Sequence, residues 1–452
     1  MDETIAAIST PIGEGGIAIV RVSGASALAV ADAIFRCRQG KPSDFPSHTV
    51  HLGTVAQNGS PLDQVLLVVM RRPHTYTGED TVEINCHGGP LVARRILKLC
   101  LESGARLAQP GEFTKRAFLN GKMDLTQAEA VMDLITAKTE LAQAAAMRAL
   151  EGHLTHQVRM IRERLLSVLA RIEAGLDFPE EDIPSYSEES LNQELLAILE
   201  EIDKLLTTAG EGKILRHGIS VAIVGRPNAG KSSLLNRFLG YNRAIVTPIP
   251  GTTRDTLEET VSIRGIPVRM IDTAGLRRAG GKTEALSVQR TRKTLESSDL
   301  AIHVLDASRP FSKTDDEIAA HPLPKARILV LNKVDLPRRI KLPPAFVQQN
   351  PIEVSALLGT GLEALAEKIS AMIWSGVPHH ADHDVTINER HNSALKTARN
   401  KLTQCLQLLD GVGHEILAQQ IRDSLNAVGE ITGDTATEDL LNAIFSRFCI
   451  GK

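Results

Sequence analysis

The residues best suited to chemistry lie in G-R-P-N-A-G-K-S, Gly225 to Ser232, between the apolar run Ile219 to Val224 and a helix-like segment. A bound triphosphate is held mainly by backbone amides, so the chain must curl on glycine and then open into a helix whose N-terminus carries partial positive charge. Gly225 and Gly230 supply the curl, Lys231 reaches the β- and γ-phosphates, and the Ser232 hydroxyl is a ligand for Mg2+. Strand, loop and helix occur in the order that a P-loop requires.

Two loops downstream carry the types that sense a γ-phosphate. Thr247 to Asp255, T-P-I-P-G-T-T-R-D, is a glycine and threonine loop before an apolar strand, in the place of a first switch. The strand Val268 to Ile271 ends in Asp272-Thr273-Ala274-Gly275, where Asp272 supports Mg2+ and the Gly275 amide meets the γ-phosphate. Strands Leu300 to Leu305 and Ile328 to Leu331 lead to Asn332-Lys333-Val334-Asp335. A carboxylate at Asp335 accepts two hydrogen bonds from guanine N1–H and N2–H, a pair that adenine lacks. Ser355-Ala356 then closes over the guanine edge, with Leu357 next to it. The expected ligand is GTP. One position departs from the Ras-like pattern: Leu276 stands directly after D-T-A-G, where a glutamine would orient the attacking water. The nearest carboxylate is Glu284, which local sequence alone reads as an exposed loop acid, and the nearest cations are Arg254, Arg277 and Arg278.

These loops need a framework. A length of 452 residues predicts about three domains, and 42% hydrophobic residues are enough for their cores. A formal charge of −3 excludes a globally basic nucleic-acid binder, so contact with RNA would need a local patch. Aromatic residues, 3% of the chain, are too few for rows of base-stacking rings. The cysteines, Cys37, Cys86, Cys100, Cys405 and Cys449, are scattered and odd in number, which suits a reducing compartment and gives no disulfide or zinc framework. With no basic leader and no apolar run of about eighteen residues, the expectation is a cytoplasmic protein without a membrane span.

The predicted organisation is multidomain. Residues 1–120 read as an α+β domain, with strands at Ile17 to Val22, His48 to Val55, Gln64 to Met70 and Thr81 to Cys86, helices at Ala25 to Phe35 and Leu91 to Glu102, and a hairpin at Asn58-Gly59. Its polar motifs, T-G-E-D at Thr77 to Asp80 and H-G-G-P at His87 to Pro90, read as glycine turns at strand ends, since no G-x-S-x-G elbow accompanies them. Residues 121–216 form the first part of an all-α helical domain. Here the apolar period predicts two long helices from Leu125 to Leu176 with Gly152 as the weak point, then a third from Ser187 to Thr208, after the acidic loop Asp177 to Pro184. Residues 217–376 form the inserted α/β P-loop domain. Residues 377–452 return to helices at Leu395 to Leu409, His414 to Val428 and Thr437 to Phe448, after a linker whose His379, His380 and His383 read as flexible chain and not as a metal site. Cys449, four residues from the end, lacks the flanks of a prenylation signal and could be an inert or a reactive thiol.

Taken together, these residues resemble the MnmE (TrmE) family of tRNA-modifying GTPases. The resemblance rests on R-V-S-G at Arg21 to Gly24, T-G-E-D through H-G-G-P, P-G-E-F-T-K-R-A-F-L-N-G-K at Pro110 to Lys122, D-F-P-E-E at Asp177 to Glu181, the nucleotide motifs and the terminal F-C-I-G-K. It implies an N-terminal domain that binds 5-formyltetrahydrofolate or a related one-carbon tetrahydrofolate and forms a homodimer. It also implies a partner, MnmG, in a heterotetramer or larger complex. The pair would install an aminomethyl or carboxymethylaminomethyl group at carbon 5 of the wobble uridine of certain tRNAs. Arg21, Glu83, Lys122 and Lys452 would lie at the folate site, and Cys449 would be a required thiol. GTP contacts would come from Asn228, Ala229, Gly230, Lys231, Ser232 and Ser233, from Thr247, Pro248, Ile249, Pro250, Gly251, Thr252 and Thr253, from Asp272, Thr273, Ala274 and Gly275, and from Asn332, Lys333, Asp335, Ser355, Ala356 and Leu357. Mg2+ would use Ser232 and Thr253. In place of an arginine finger the family uses K+, bound when two G domains face each other, here at Asn228, Thr247, Ile249 and Thr252. Glu284 would orient the attacking water through a second one, against its local reading, although the surrounding R-R-A-G-G-K-T-E is more basic than the family's usual second switch. The alternative is a ribosome-assembly GTPase switch, which would need an RNA-binding domain, but the sequence has no second P-loop and no convincing KH-type G-x-x-G unit. A scaffold that binds GTP without modification chemistry is a third reading.

Overall fold

A computed structural model of the chain describes residues 3–177, 188–241, 258–272, 298–320, 326–375, 385–409 and 414–452. The acidic loop, most of both switch segments and the histidine linker lie outside these residues. By its contacts the chain forms two units, Met1–Met132 with Gly429–Lys452, and Asp133–Val428.

In the first unit the strands are β1 (Ile5–Ile8), β2 (Ile17–Ser23), β3 (Phe35–Arg36), β4 (Thr49–Gln57), β5 (Ser60–Met70), β6 (Thr81–His87) and β7 (Arg106–Leu107), in the order β3-β4-β5-β6-β2-β1-β7. All pairs are antiparallel except β1 with β7. Val65, Leu67 and Val69 alternate inward on β5, where they join α1 (Ala27–Ile34) and α2 (Pro90–Glu102) in one core. The hairpin at Asn58-Gly59 stands where its two positive-φ residues predict it. Strand β1 escapes the alternation rule because Ile5, Ala6 and Ala7 are all fully buried between two neighbouring strands. Helices α3 (Glu112–Leu119) and α4 (Leu125–Thr136) follow, the first from within the P-G-E-F motif.

The second unit holds α5 (Glu140–Leu150), α6 (His153–Asp177), α7 (Glu188–Thr207) and α8 (Ala209–His217), and then the nucleotide motifs on a six-stranded sheet. The expected first long helix is broken ahead of Gly152. Thr139 caps a new helix by accepting from the Ala142 amide, and α5 starts there. The sheet comprises β8 (Ile219–Val224), β9 (Glu258–Ile263), β10 (Ile266–Asp272), β11 (Leu300–Asp306), β12 (Ala326–Asn332) and β13 (Ile352–Val354), in the order β13-β12-β11-β8-β10-β9, parallel except for β9. With it come α9 (Lys231–Tyr241), α10 (Lys313–Ala320), α11 (Pro344–Val347) and α12 (Leu362–Trp374). Every residue of β8 is buried, as expected of the central strand of a covered parallel sheet. After the sheet the chain returns to helices, α13 (Glu389–Leu408), which packs along α7, and α14 (His414–Thr432). Helix α13 starts six residues earlier than its apolar period predicts, because its first turn is polar and is set by a capping box between Asn388 and His391.

Helix α15 (Glu438–Phe445) belongs to the first unit, where Leu441, Ile444, Phe445 and Phe448 form a core with Leu125 and Ala128. No described helix is long and apolar enough to cross a membrane.

Candidate functional site

The nucleotide motifs that the structure describes all lie at the carboxyl ends of parallel strands: Gly225 after β8, Asp272 closing β10, Asn332 closing β12 and Ser355 after β13. At that edge of an open sheet, loop amides and side chains are free to meet a ligand. The phosphate loop is shaped by its backbone. Asn228 sits at φ 63° and Gly230 at φ 95°, and a Cβ at Gly230 would come within 2.0 Å of the Asn332 Nδ2. Lys231, 7% exposed, donates to the Gly225 carbonyl at 2.9 Å and to the Arg226 carbonyl at 2.8 Å. Its ammonium is thereby kept on the loop by acceptors that phosphate oxygens can replace. Ser232 and Ser233 are exposed on the first turn of α9, and a serine hydroxyl is a hard oxygen donor of the kind Mg2+ accepts.

Base-reading and phosphate-holding loops are tied to one another. The buried Asn332 donates from Nδ2 to the Ala229 carbonyl at 2.9 Å and accepts from the Ala356 amide at 3.0 Å. Lys333, at φ 67°, donates to the Asn228 carbonyl and to Asp306 Oδ2, both at 2.7 Å. The Ser355 hydroxyl donates to Asp335 Oδ1 at 2.6 Å and accepts from the Leu358 amide at 3.1 Å. Asp335 and Leu357 remain exposed, open to a base. Asp272 pairs in register with Ile223 of β8, which puts it beside the phosphate loop. Thr247, Pro248, Ile249, Pro250, Gly251, Thr252, Thr253, Thr273, Ala274, Gly275, Leu276 and Glu284 lie outside the described residues.

Two residues of this region are not marked by the motifs. Arg226 pairs through Nε with Asp315, a carboxylate without exposed surface, at 2.9 Å and donates to the Ser312 hydroxyl at 3.0 Å. Asp306 ends β11. Burial works to raise its pKa, but the Lys333 ammonium and the Ser308 hydroxyl and amide outweigh that and leave it below the ordinary carboxylate value. The only sequence signal for either is an unspecified position in G-x-x-x-x-G-K-S and an acid at a strand end.

A second polar site lies in the first unit. Arg21 on β2 faces Glu83 on β6 in register, and its Nε donates to Oε1 at 2.8 Å. The same guanidinium lies 5.8 Å from the Tyr76 ring centre and 5.6 Å from that of Phe113, and donates to the Gly451 carbonyl at 3.4 Å. Gly451, at φ 98°, brings the tail against β1, since a Cβ there would be 2.5 Å from the Ile8 carbonyl. That seats Lys452 beside Arg21 and Glu83. Burial, and then the Arg21 charge, lower the Lys452 pKa, against the opposing pull of Glu83 and Cys449. The Cys449 thiol is free and exposed, while its carbonyl accepts from the Gly111 amide at 3.4 Å. Lys122 donates to the Pro73 carbonyl at 3.0 Å and lies against Gly78, in the loop that carries Tyr76. Two cations near one carboxylate, with two rings beside one of them, fit an anionic aromatic ligand.

The other polar motifs of this unit brace it. Glu79 of T-G-E-D takes Arg116 Nη1 on both carboxylate oxygens, at 3.1 and 3.0 Å, and the Ser23 hydroxyl at 2.9 Å. Arg116, 1% exposed, also reaches Glu112, which burial works to raise but Arg106, the Gln109 amide and Arg116 bring down to about 2. His87 of H-G-G-P is exposed and bonds Asp63 at 2.7 Å, at the turn between β6 and α2.

Residues 4–122 match the family described as GTP-binding protein TrmE N-terminus, and residues 125–449 match MnmE helical domain. The chain is 47% identical to a tRNA modification GTPase MnmE of Symbiobacterium thermophilum and 45% identical to that of Clostridioides difficile, each over 100% of both chains. The protein of the same description from Geobacter sulfurreducens is 45% identical, again over 100% of both. Among solved structures, Era of Aquifex aeolicus aligns with 40% of this chain and 66% of its own at 28% identity, with a TM-score of 0.26, too low to bear on the arrangement.

Proposed function

The chain belongs to the MnmE family of tRNA modification GTPases, and on that premise we propose that it hydrolyses GTP to GDP and phosphate to drive the modification of wobble uridines in tRNA, working with MnmG as a homodimer in the cytoplasm. The observation that carries the GTPase reading is the convergence of the phosphate loop, N-K-V-D and S-A-L at one sheet edge, cross-tied by Asn332. Asp335 reads the guanine edge. The Lys231 ammonium leaves two backbone carbonyls for phosphate oxygens, so the charge that neutralises the γ-phosphate is in place before the ligand arrives. Mg2+, held by Ser232 and Thr253, would draw charge off the β- and γ-phosphates. K+, taken by Asn228, Thr247, Ile249 and Thr252, would supply the positive charge that an arginine finger supplies elsewhere. Leu276 has no polar group for water, and Glu284 would take on that work.

At the tail site Arg21, Glu83, Lys122 and Lys452 would bind a one-carbon tetrahydrofolate, with the carboxylate accepting from ring N–H groups and the lysines meeting anionic ones. The seating of Cys449 by Gly111 keeps a thiol near that ligand. Support comes from the Arg21 to Glu83 pair and the half-buried Lys452.

The test is phosphate release by the full chain with GTP or ATP, in K+ or Na+, together with nucleoside analysis of tRNA from cells lacking the protein. GTP turnover faster in K+, with loss of the modified wobble uridine, is expected. Equal rates in the two salts would remove the K+ site, and unchanged nucleosides would remove the tRNA function.

A further inference from the structure

We propose that Asp306 is a positioning residue of the guanine-nucleotide site, holding Lys333 on the Asn228 carbonyl so that the phosphate loop keeps its curl. The inference rests on the GTP reading above and goes beyond it to a residue outside the nucleotide motifs. Asn228 is a non-glycine residue at φ 63°, a conformation that Asn tolerates better than most residues and that surrounding contacts help to hold. One such contact is Lys333 Nζ on its carbonyl at 2.7 Å. Lysine is a flexible four-carbon stem with a strongly hydrated head, and this side chain is 28% exposed, so the contact needs a second anchor. Asp306 supplies it from the neighbouring strand at 2.7 Å, with 3% of its own side chain exposed.

The sheet and a turn fix that anchor. Asp306 pairs in register with Asn332, so β11 and β12 set its distance from Lys333. Its Oδ1 accepts from the Ser308 amide at 2.9 Å and hydroxyl at 2.6 Å, which orients the carboxylate and leaves Oδ2 for the ammonium. Arg309 is the other cation facing it, at 3.7 Å and 61% exposed, too far for a hydrogen bond. Loss of the Asp306 charge would free Lys333 to swing toward water and relax Asn228, loosening the bound nucleotide without touching it.

The experiment follows dissociation of a fluorescent GDP analogue from the full chain. Asp306→Asn keeps an acceptor for Ser308 but turns an amide toward Lys333, and should speed dissociation about tenfold, with the loss in GTP turnover falling on KM more than on kcat. Ser308→Ala, which disturbs the same carboxylate from its turn side, should stay within about twofold. In a Lys333→Met background, already fast, Asp306→Asn should add nothing, and this double variant avoids leaving Lys333 without its counter-charge should the single one fail to fold. Unchanged dissociation in Asp306→Asn, an equal rise in Ser308→Ala, or a further rise in the double variant would each overturn the positioning role. Absence of binding by the unaltered chain would instead overturn the GTP reading beneath it.

Discussion

The phosphate loop and the tail region both gather positive charge, by different means. In the loop the work falls to the backbone: positive-φ residues aim the amides, and Lys231 is satisfied by carbonyls of the loop itself. At the tail it falls to side chains gathered from β2, β6 and the chain's last residues, where Lys452 lies half-buried next to Arg21 with its pKa lowered. At the tail, burial and the Arg21 charge make the Lys452 ammonium less favourable than an exposed one would be. Backbone construction keeps the loop's contacts local, whereas the tail site depends on side chains from distant parts of the chain meeting.

The sharpest break would come from Lys231→Ala, which removes the one lysine of the loop. GTP hydrolysis at saturating substrate should fall about a thousandfold, read as phosphate release, because that charge acts on the transferring group. Gly230→Ala attacks the backbone device itself. Its Cβ would drive into Asn332 at 2.0 Å, and affinity for GDP, measured by titration, should drop about a hundredfold. The tail counterpart is Gly451→Ala, which pushes the chain end off the Ile8 carbonyl, and calorimetry with 5-formyltetrahydrofolate should record a loss of about tenfold. A hundredfold loss there would mean that the tail is as backbone-built as the loop.

The smallest effect is the pH response. Because the folded Lys452 pKa lies below its unfolded value of 10.5, the unfolded chain holds more protons between the two, and stability rises with pH across that window. An anionic ligand favours the charged form, so folate binding should take up a proton as pH passes the lowered value and weaken above it, by a few-fold at about half a unit past it. Calorimetry in buffers of different ionisation enthalpy reads the uptake directly, and Lys452→Met should abolish it.

The two regions also differed in how far sequence exposed them. The loop was legible because its chemistry prescribes glycines and a lysine at fixed spacing, and Asn332, Asp335 and Ser355 came with it. Arg226 and Asp306 were not, since they act through Asp315 and Lys333 and no spacing rule names such partners. At the tail, Arg21, Glu83, Lys122 and Lys452 came from resemblance alone. Residues 21 and 83 meet through strand register, and Lys452 reaches them only because the chain end folds back on β1. Element errors have equally local causes. Strand β1 carries no alternation, and α13 begins on a polar capping turn. The break before α5 is set by the Thr139 cap, which the continuing apolar period hides.

Asn332 has a consequence for selectivity. One amide side chain grips the Ala229 carbonyl of the phosphate loop and the Ala356 amide of the S-A-L loop, so on the proposed GTP reading the two halves of a nucleotide would be sensed through a shared strut. A nucleotide with the wrong base would forfeit more than its hydrogen bonds to Asp335. By displacing the S-A-L loop it would also loosen the grip on its own phosphates, and the penalty for a mismatch would exceed the sum of its parts.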